Sequence, residues 1–355
     1  VCSSDLGAMP TTAPEYVIFE GPGMDAFAES PEWGGSLVIF PFMYYETYGD
    51  DSLIKKYYPN MRRYVDYLKT RADKGILSFG LGDWYDYGDF RAGFSRNTPV
   101  PLVATAHYYM TVMYLVQAAK MVGNDFDTRY YTSLAQDIMA AFNKYFLHKD
   151  TAQYGTGSQC SNALPLFLQM TQDADEQGNY RPDADLHEKV FTNLIKDVEA
   201  HGNRLTTGDV GNRYLIQTLA RNGEHELIYK MFNHEEAPGY GFLLKFGATT
   251  LTEQWDPRQG SSWNHFMMGQ IDEWFFNSLV GIRPSTTPKQ GYQKFIIAPQ
   301  PVGDLKYVKA SYDTLYGTIN VDWTCENGTF TLNVSVPVNT TAVVYLPGEK
   351  EPKEI

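Results

Sequence analysis

Two different spacings of apolar residues divide the chain. From about Gly34 to Gly281, apolar side chains recur at intervals of three and four inside segments separated by Gly, Asn and Asp, the period of a helix that buries one face. In Ser52–Arg71 the series is Leu53, Ile54, Tyr57, Met61, Tyr64, Val65 and Leu68; in Arg129–Phe146 it is Tyr130, Leu134, Ile138, Phe142 and Phe146. Leu102–Met121 is a third long helix, and Ser161–Met170, Asp185–Ala200, Asn212–Arg221, Glu224–Asn233 and Asn264–Leu279 are shorter ones, so the pattern predicts about nine helices. After Gly281-Ile282-Arg283-Pro284 the period changes. Phe295–Ile297, Leu305–Ser311, Gly317–Thr324, Thr329–Pro337 and Thr341–Leu346 alternate β-branched and polar residues between Gly, Asn and Pro, which predicts about five short strands in a small antiparallel β-sandwich. The charged tail 348–355 is expected to fray.

Between alternate helix pairs lie longer loops rich in Gly, Trp and Asp: Glu29–Gly35, Phe79–Pro101, Tyr154–Gln159, Leu205–Asn212 and Gly239–Asn264. Helical hairpins whose aromatic and polar loops recur at one end describe an α/α toroid, with those loops converging on a cleft carried by a rigid scaffold. The fold class expected is therefore mainly α, a toroid over 7–283 followed by the sandwich over 284–347.

Bulk properties narrow the function. A chain of 355 residues exceeds what one core usually organises, in keeping with two domains. A formal net charge of −13 without any Lys/Arg run disfavours nucleic acid and anionic lipid surfaces. Aromatic residues reach 15%, with 26 Tyr and 6 Trp; many fill helix interfaces, yet such rings also stack on the apolar face of a pyranose. Cys2, Cys160 and Cys325 are too few and too scattered for a disulfide framework or a zinc site, and the redox compartment stays open. No apolar run is long enough to span a membrane, and the N-terminus lacks a signal-peptide pattern. Val1-Cys2-Ser3-Ser4-Asp5-Leu6 has the character of a translated sequencing adapter and is expected to be a non-native tail.

The densest chemistry lies in Gly247-Ala248-Thr249-Thr250-Leu251-Thr252-Glu253-Gln254-Trp255-Asp256, where small residues allow close packing and Glu253 and Asp256 flank a Trp. A carboxylate there either activates water for glycoside hydrolysis or caps the next helix. His265, in Ser262-Trp263-Asn264-His265, either donates to a sugar hydroxyl or is satisfied by backbone. Asp83, Trp84, Asp86 and Asp89 put three acids and a ring in one loop; sugar hydroxyls or a Ca²⁺ ion would relieve their repulsion, although the spacing is not that of an EF-hand. Glu32-Trp33-Gly34-Gly35 offers another stacking ring, and Asp209, in Gly208-Asp209-Val210-Gly211-Asn212-Arg213, is a helix cap or a site residue. No nucleophile elbow, HExxH or dinucleotide fingerprint is present, so no cofactor and no metal is expected.

Together, the segment Gly247–Asp256, then Ser262–His265, Gly269-Gln270-Ile271-Asp272-Glu273-Trp274 and Gly281–Pro284, resembles the bacterial α-L-rhamnosidases of glycoside hydrolase family 78. Upstream, Pro31–Gly34, Tyr48-Gly49-Asp50, Gly82-Asp83-Trp84 and Thr207–Gly211 follow in the family's order, so the likeness runs from Gly7 to about Trp323. The resemblance implies an (α/α)6 toroid followed by a β-sandwich, and hydrolysis of terminal α-L-rhamnose with inversion from rhamnose-containing glycosides or polysaccharides. It implies Glu253 as general base, with Asp83, Asp209, Trp33, Trp84, Trp255 and His265 lining the rhamnose subsite. It also puts the family's general acid in an Asp-Glu-Arg-x-Gly-Trp motif that would precede this chain, together with two or three helices; nothing here matches that motif, and the chain by itself is expected to be inactive. By analogy the protein is secreted or periplasmic. The rival readings are another toroid glycosidase or a polysaccharide lyase, for which a loop cluster of cations is missing, and a sugar-binding protein without catalysis, which would keep its ligand when Glu253 is replaced by Gln.

Overall fold

A computed structural model describes residues 7–10, 12, 24–174, 180–285, 291–348 and 353–354. The expected non-native tail at 1–6 lies outside them. After a short α1 (Pro31–Gly34), α2 (Ser36–Tyr48) is followed by α3 (Ser52–Arg71), α4 (Val100–Met121) and α5 (Asp125–Phe146). Next come α6 (Gln159–Phe167), α7 (Ala184–Ala200), α8 (Gly211–Arg221), α9 (His225–Phe232) and α10 (Tyr240–Lys245). A continuous helical stretch then runs from a 3₁₀ turn at Phe266–Gln270 through α11 (Ile271–Trp274) to a π-turn at Phe275–Val280. Two small hairpins, β1 (Leu147–His148) with β2 (Gln153–Tyr154) and β3 (Gln172–Ala174) with β4 (Tyr180–Pro182), close helix connections.

Composition sorts these helices into an inner and an outer ring. α4 buries every residue from Leu102 to Val112, and α6 every residue from Gln159 to Leu166, so both are surrounded by protein. α7 buries only Val190, Leu194 and Val198, a single stripe at four-residue spacing that fits an outer position. α2, α4, α6, α8 and α11 pack in succession, and α3, α5, α7 and α9 back the first four of them, which fits the incomplete α/α toroid expected from the sequence. On α2, Phe40 and Met43 remain 60% and 53% exposed. Helix starts are set locally: the side chains of Asn124, Ser158 and Asp183 accept the amides of Asp127, Ser161 and Leu186. The Thr98 and Ser158 hydroxyls lie 2.8 Å apart and the Gly211 amide donates to Asp83, so the N-termini of α4, α6 and α8 share one end of the ring, where the loops that precede them meet.

Within Gly239–Asn264, read from sequence as loop throughout, the structure forms α10. Six residues bounded by glycine and turn residues are too short to show a helical period.

The C-terminal part holds a three-stranded antiparallel sheet of β7 (Tyr307–Thr314), β8 (Gly317–Glu326) and β9 (Thr329–Ser335). Facing it is a four-stranded sheet in the order β11-β10-β6-β5, built from β5 (Ile282–Pro284), β6 (Lys294–Ile297), β10 (Thr341–Val344) and β11 (Lys353–Glu354). Every pair is antiparallel except β10 with β6, which run parallel because the whole β7–β9 meander intervenes between them. The change of period at 281–284 thus falls on β5, whose Ile282 pairs with Ile297. Ile319, Val321 and Trp323 alternate inward along β8. Trp323 is 1% exposed, and its indole Nε1 donates to the Leu279 carbonyl at 2.9 Å, fastening the sheet to the last helical turn. At the join, Gly281 has φ +87°, and a Cβ there would lie 2.4 Å from the Ala298 carbonyl carbon.

Candidate active site

The loops at the shared end of the ring are fastened to one another by buried polar groups. Asp83 is completely buried, and its Oδ1 accepts the Gly211 amide at the start of α8 at 2.6 Å. The Asp209 amide donates to the Trp84 carbonyl at 2.7 Å, and Gly208 lies so close that a Cβ would stand 2.1 Å from that same oxygen. Cys160, in the first turn of α6, packs against Gly211 behind Asp83. Burial pushes the Asp83 carboxyl up to about 7 despite the amides of Gly208 and Gly211. A second carboxyl, Glu32, joins α1 to the loop ahead of Asp83: its Oε1 accepts the Gly82 amide at 3.0 Å and its Oε2 accepts the Ser30 hydroxyl. Burial likewise raises Glu32 to about 7.

The loop that carries Glu253 closes on itself. Glu253 donates its amide to the Ser262 carbonyl at 2.9 Å, and its Oε2 accepts the Ser262 amide at 3.1 Å. The His265 amide donates to the Leu251 carbonyl at 2.9 Å, and Thr250 Oγ1 donates to the Trp263 carbonyl. Thr252 Oγ1 reaches the Gln254 carbonyl at 2.7 Å, so the turn that presents Glu253 is braced from within. Glu253 itself is half-buried. Asp256 caps the next 3₁₀ turn through the Arg258 amide and pairs with the Arg258 guanidinium, so it is occupied structurally.

Asp209 sits where these loops converge. Its carbonyl accepts Gln270 Nε2 at 2.6 Å, its Oδ1 has no partner among the described residues, and it is 2% exposed. Burial, and then the charges of Asp83 and Glu253, hold its carboxyl well above the ordinary carboxylate range. Three acids from loops far apart in sequence are thereby gathered at one place. Asp209 opens onto a cavity of about 740 Å³ that also exposes Trp33, Glu32, His107, Arg213 and Gln270. Cavities of roughly 300–1,000 Å³ are typical of small-ligand sites.

The family model for the bacterial α-L-rhamnosidase six-hairpin glycosidase domain matches residues 3–279, and that for the bacterial α-L-rhamnosidase C-terminal domain matches residues 281–354. The chain belongs to the bacterial α-L-rhamnosidase family. An α-L-rhamnosidase of Streptomyces avermitilis is 28% identical over 328 residues, which are 89% of this chain and 29% of that protein. Among solved structures, the α-L-rhamnosidase of Dictyoglumus thermophilum superposes with a TM-score of 0.84 at 30% identity, over 98% of this chain and 38% of its own. The Streptomyces avermitilis enzyme complexed with L-rhamnose superposes with a TM-score of 0.83 at 26% identity, over 98% and 32%. The chain thus spans about a third of the length of the rhamnosidases it matches.

Against this frame, the residues expected at the rhamnosidase site take different places. Trp33 and Asp209 line the cavity; Glu253, which does not line it, lies near enough for its charge to raise the Asp209 carboxyl. Asp83 and Trp255 do not face it: Asp83 is sealed behind Gly211, and Trp255, 1% exposed, packs edge-on against Tyr240 at 5.2 Å. Asp83 Oδ2 and the Trp255 indole Nε1 are both buried and have no partner among the described residues. Trp84 is half-buried in a cluster with Phe27, Tyr85 and Phe94, with ring centroids 5.0 to 5.2 Å apart. His265 is half-buried next to the exposed Phe266 ring, and its Nδ1 has no partner among the described residues.

Three cavity residues escape a reading by motif. His107 lies within α4; its Nδ1 donates to the Val103 carbonyl at 2.8 Å, so the Nε2 of the neutral ring accepts the Tyr214 hydroxyl at 3.1 Å. Burial depresses it to about 4 and keeps it uncharged at neutral pH. Arg213 is held by Glu273 through two bonds of 2.7 and 2.8 Å, a bidentate pair that fixes its guanidinium at the cavity wall. Glu32 was visible only as the neighbour of Trp33, because its partner Gly82 lies fifty positions away.

Glu32 also gives the fold a pH dependence. Its carboxyl titrates near 7 when folded and near 4.5 when unfolded, so between these values the folded state holds the extra proton. Stability from this group is full below about pH 4.5 and is lost as pH rises through 7. Glu32→Gln should remove that loss: relative to the parent it gains about 1–3 kcal/mol between pH 4.5 and pH 8. Urea unfolding of both proteins at the two pH values measures the gain, and parallel curves would refute it.

Proposed function

We propose that this chain carries the water-activating base and most of the sugar-holding wall of an inverting α-L-rhamnosidase. What supports the reading most is that Asp209 and Trp33 line one cavity and that Glu253 lies within electrostatic reach of Asp209, on a scaffold of this family. In the reaction, Glu253 takes a proton from water as the water oxygen attacks the anomeric carbon. The bond to the leaving oxygen breaks on the opposite face of the ring, and an acid protonates that oxygen. Asp209, whose carboxyl burial holds well above the ordinary carboxylate range, is suited to hydrogen-bond a rhamnose hydroxyl. Trp33, with Trp84 nearby, encloses the apolar face and the C5 methyl, and His265 orients a hydroxyl or Glu253. Asp83 and Trp255 serve from behind, Asp83 by locking the loops of Trp84 and Asp209 together and Trp255 by backing the turn of Glu253.

The acid in this proposal is a glutamate of an Asp-Glu-Arg-x-Gly-Trp segment, which none of the 355 residues supplies. The chain by itself should then bind L-rhamnose, measurable by titration calorimetry, yet release no p-nitrophenol from p-nitrophenyl α-L-rhamnoside. An activated leaving group needs little help from an acid, so this substrate is the most permissive one. Turnover by the purified chain of a rhamnoside with a poor leaving group, such as methyl α-L-rhamnoside, would overturn the assignment of the acid.

A further inference from the structure

Glu253 and Trp84 stand on loops far apart in sequence, and among the described residues one hydrogen bond joins those two loops. The Tyr85 hydroxyl lies 3.2 Å from Ser261 Oγ, across 176 positions of chain. Tyr85 follows Trp84 directly, and the two rings meet edge to face with centroids 5.0 Å apart. Ser261 precedes Ser262, whose amide donates to Glu253 Oε2 at 3.1 Å. From the other strand of the same turn Gln254, 5% exposed and adjacent to Glu253, donates its Nε2 to Ser261 Oγ. Ser261 therefore closes the turn that presents Glu253 and is itself gripped from the loop of Trp84. Beside this bond the loops are separated by a hollow of about 60 Å³ lined by Tyr85, Gln254 and Trp255, so the phenol is what spans them.

The backbone at Tyr85 is strained. Its φ of +61° lies in the left-handed region, which residues with bulky side chains seldom adopt. Hydrogen bonds on either side keep it there: the Tyr85 amide donates to the Gly93 carbonyl at 2.8 Å, and Asp86 Oδ2 accepts the amides of Arg96 and Asn97. Such strain persists only where the surroundings impose it, and it concentrates at functional sites. Glycine or asparagine would take this conformation at less cost, but neither carries a hydroxyl that reaches Ser261.

We infer that Tyr85 is a positioning residue for the base: through Ser261 it fixes the Glu253 carboxylate at a set distance from the Trp84 ring, so that the water Glu253 activates meets a sugar held by the aromatic wall. The inference rests on the reading of Glu253 as the base. In a form of the protein that includes the acid segment, Tyr85→Phe keeps the ring against Trp84 and removes only the hydroxyl. It should lower kcat for an aryl α-L-rhamnoside roughly 10- to 100-fold, the effect of a misplaced catalytic group, and leave KM within about threefold. Ser261→Ala should do the same, and the double variant should be no slower than the slower single one. The Glu253→Gln background decides between positioning and general support of the fold. There Tyr85→Phe should change kcat by less than about twofold, because a residue that works through the base has nothing left to act on, whereas a structural residue costs the same in both backgrounds. In the present chain, hydrogen–deuterium exchange of the peptide spanning Glu253–Ser262 should be several-fold faster in both single variants than in the parent. Full kcat in both, equal losses in the two backgrounds, or unchanged exchange overturns the role of Tyr85. A loss in Glu253→Gln with none in Tyr85→Phe and Ser261→Ala removes Tyr85 alone; full activity in Glu253→Gln removes the base and this inference together.

Discussion

In a form of the protein that includes the acid segment, Glu253→Gln lowers kcat for an aryl α-L-rhamnoside by roughly 10²–10⁴-fold, the contribution of a positioned general base. Gln keeps the shape and can still accept the Ser262 amide that braces the turn, so the loop keeps its geometry. The loss should therefore lie in kcat, with L-rhamnose affinity changed only severalfold. The acidic limb of the pH profile of kcat/KM, which reports protonation of the base in the free enzyme, should vanish with it. A variant that keeps its fold by circular dichroism and whose kcat stays within threefold of the parent removes Glu253 from the role. A sugar-binding protein without catalysis would show no turnover in the parent and unchanged affinity in the variant.

The second large effect concerns the sheets. Trp323→Ala should cost about 3–5 kcal/mol, the usual range for truncating a buried aromatic ring, because the cavity left between β8 and the last helical turn cannot collapse around it. The substitution also strands the Leu279 carbonyl. Trp323→Phe restores most of the ring but not the N–H donor, and should cost about 1–3 kcal/mol, the range for leaving a buried polar group without its partner. Denaturant unfolding of the three proteins measures both losses; equal stabilities would mean that the two parts of the chain do not depend on this contact.

How far the sequence foretold these features varies with the kind of signal. The one-sided helix α3 is legible to its ends, Ser52 and Arg71, since a solvent-facing stripe of Lys, Arg and Asp alternates with its apolar face. The inner helix α2 is apolar all round, and without a polar stripe its period fades into the general helical pattern. β5 is three residues long and ends in Pro284, too short for alternation to register. The loops that converge at the candidate site are the ones in which Gly, Trp and acidic residues concentrate along the sequence. The sequence could not tell which acids face the cavity. Asp83 and Asp209 look alike in sequence and each keeps one buried oxygen without a partner among the described residues, yet the Gly211 amide binds the other oxygen of Asp83, while Asp209 lines the cavity. That distinction arises from loops over a hundred positions apart. The same holds for His107 and Arg213, whose partners Tyr214 and Glu273 are distant in sequence.

The joint between Asp83 and Gly211 has one more consequence, through the thiol sealed behind it. Burial and the neighbouring Asp83 carboxyl push Cys160 well above its ordinary range, so it is protonated and out of reach of reagents. Alkylation at this position can proceed only while the two loops are parted. The labelling rate of the peptide containing Cys160, followed by mass spectrometry, is thus a clock for the breathing of the cleft, and a sugar that clasps both loops should make it run slower.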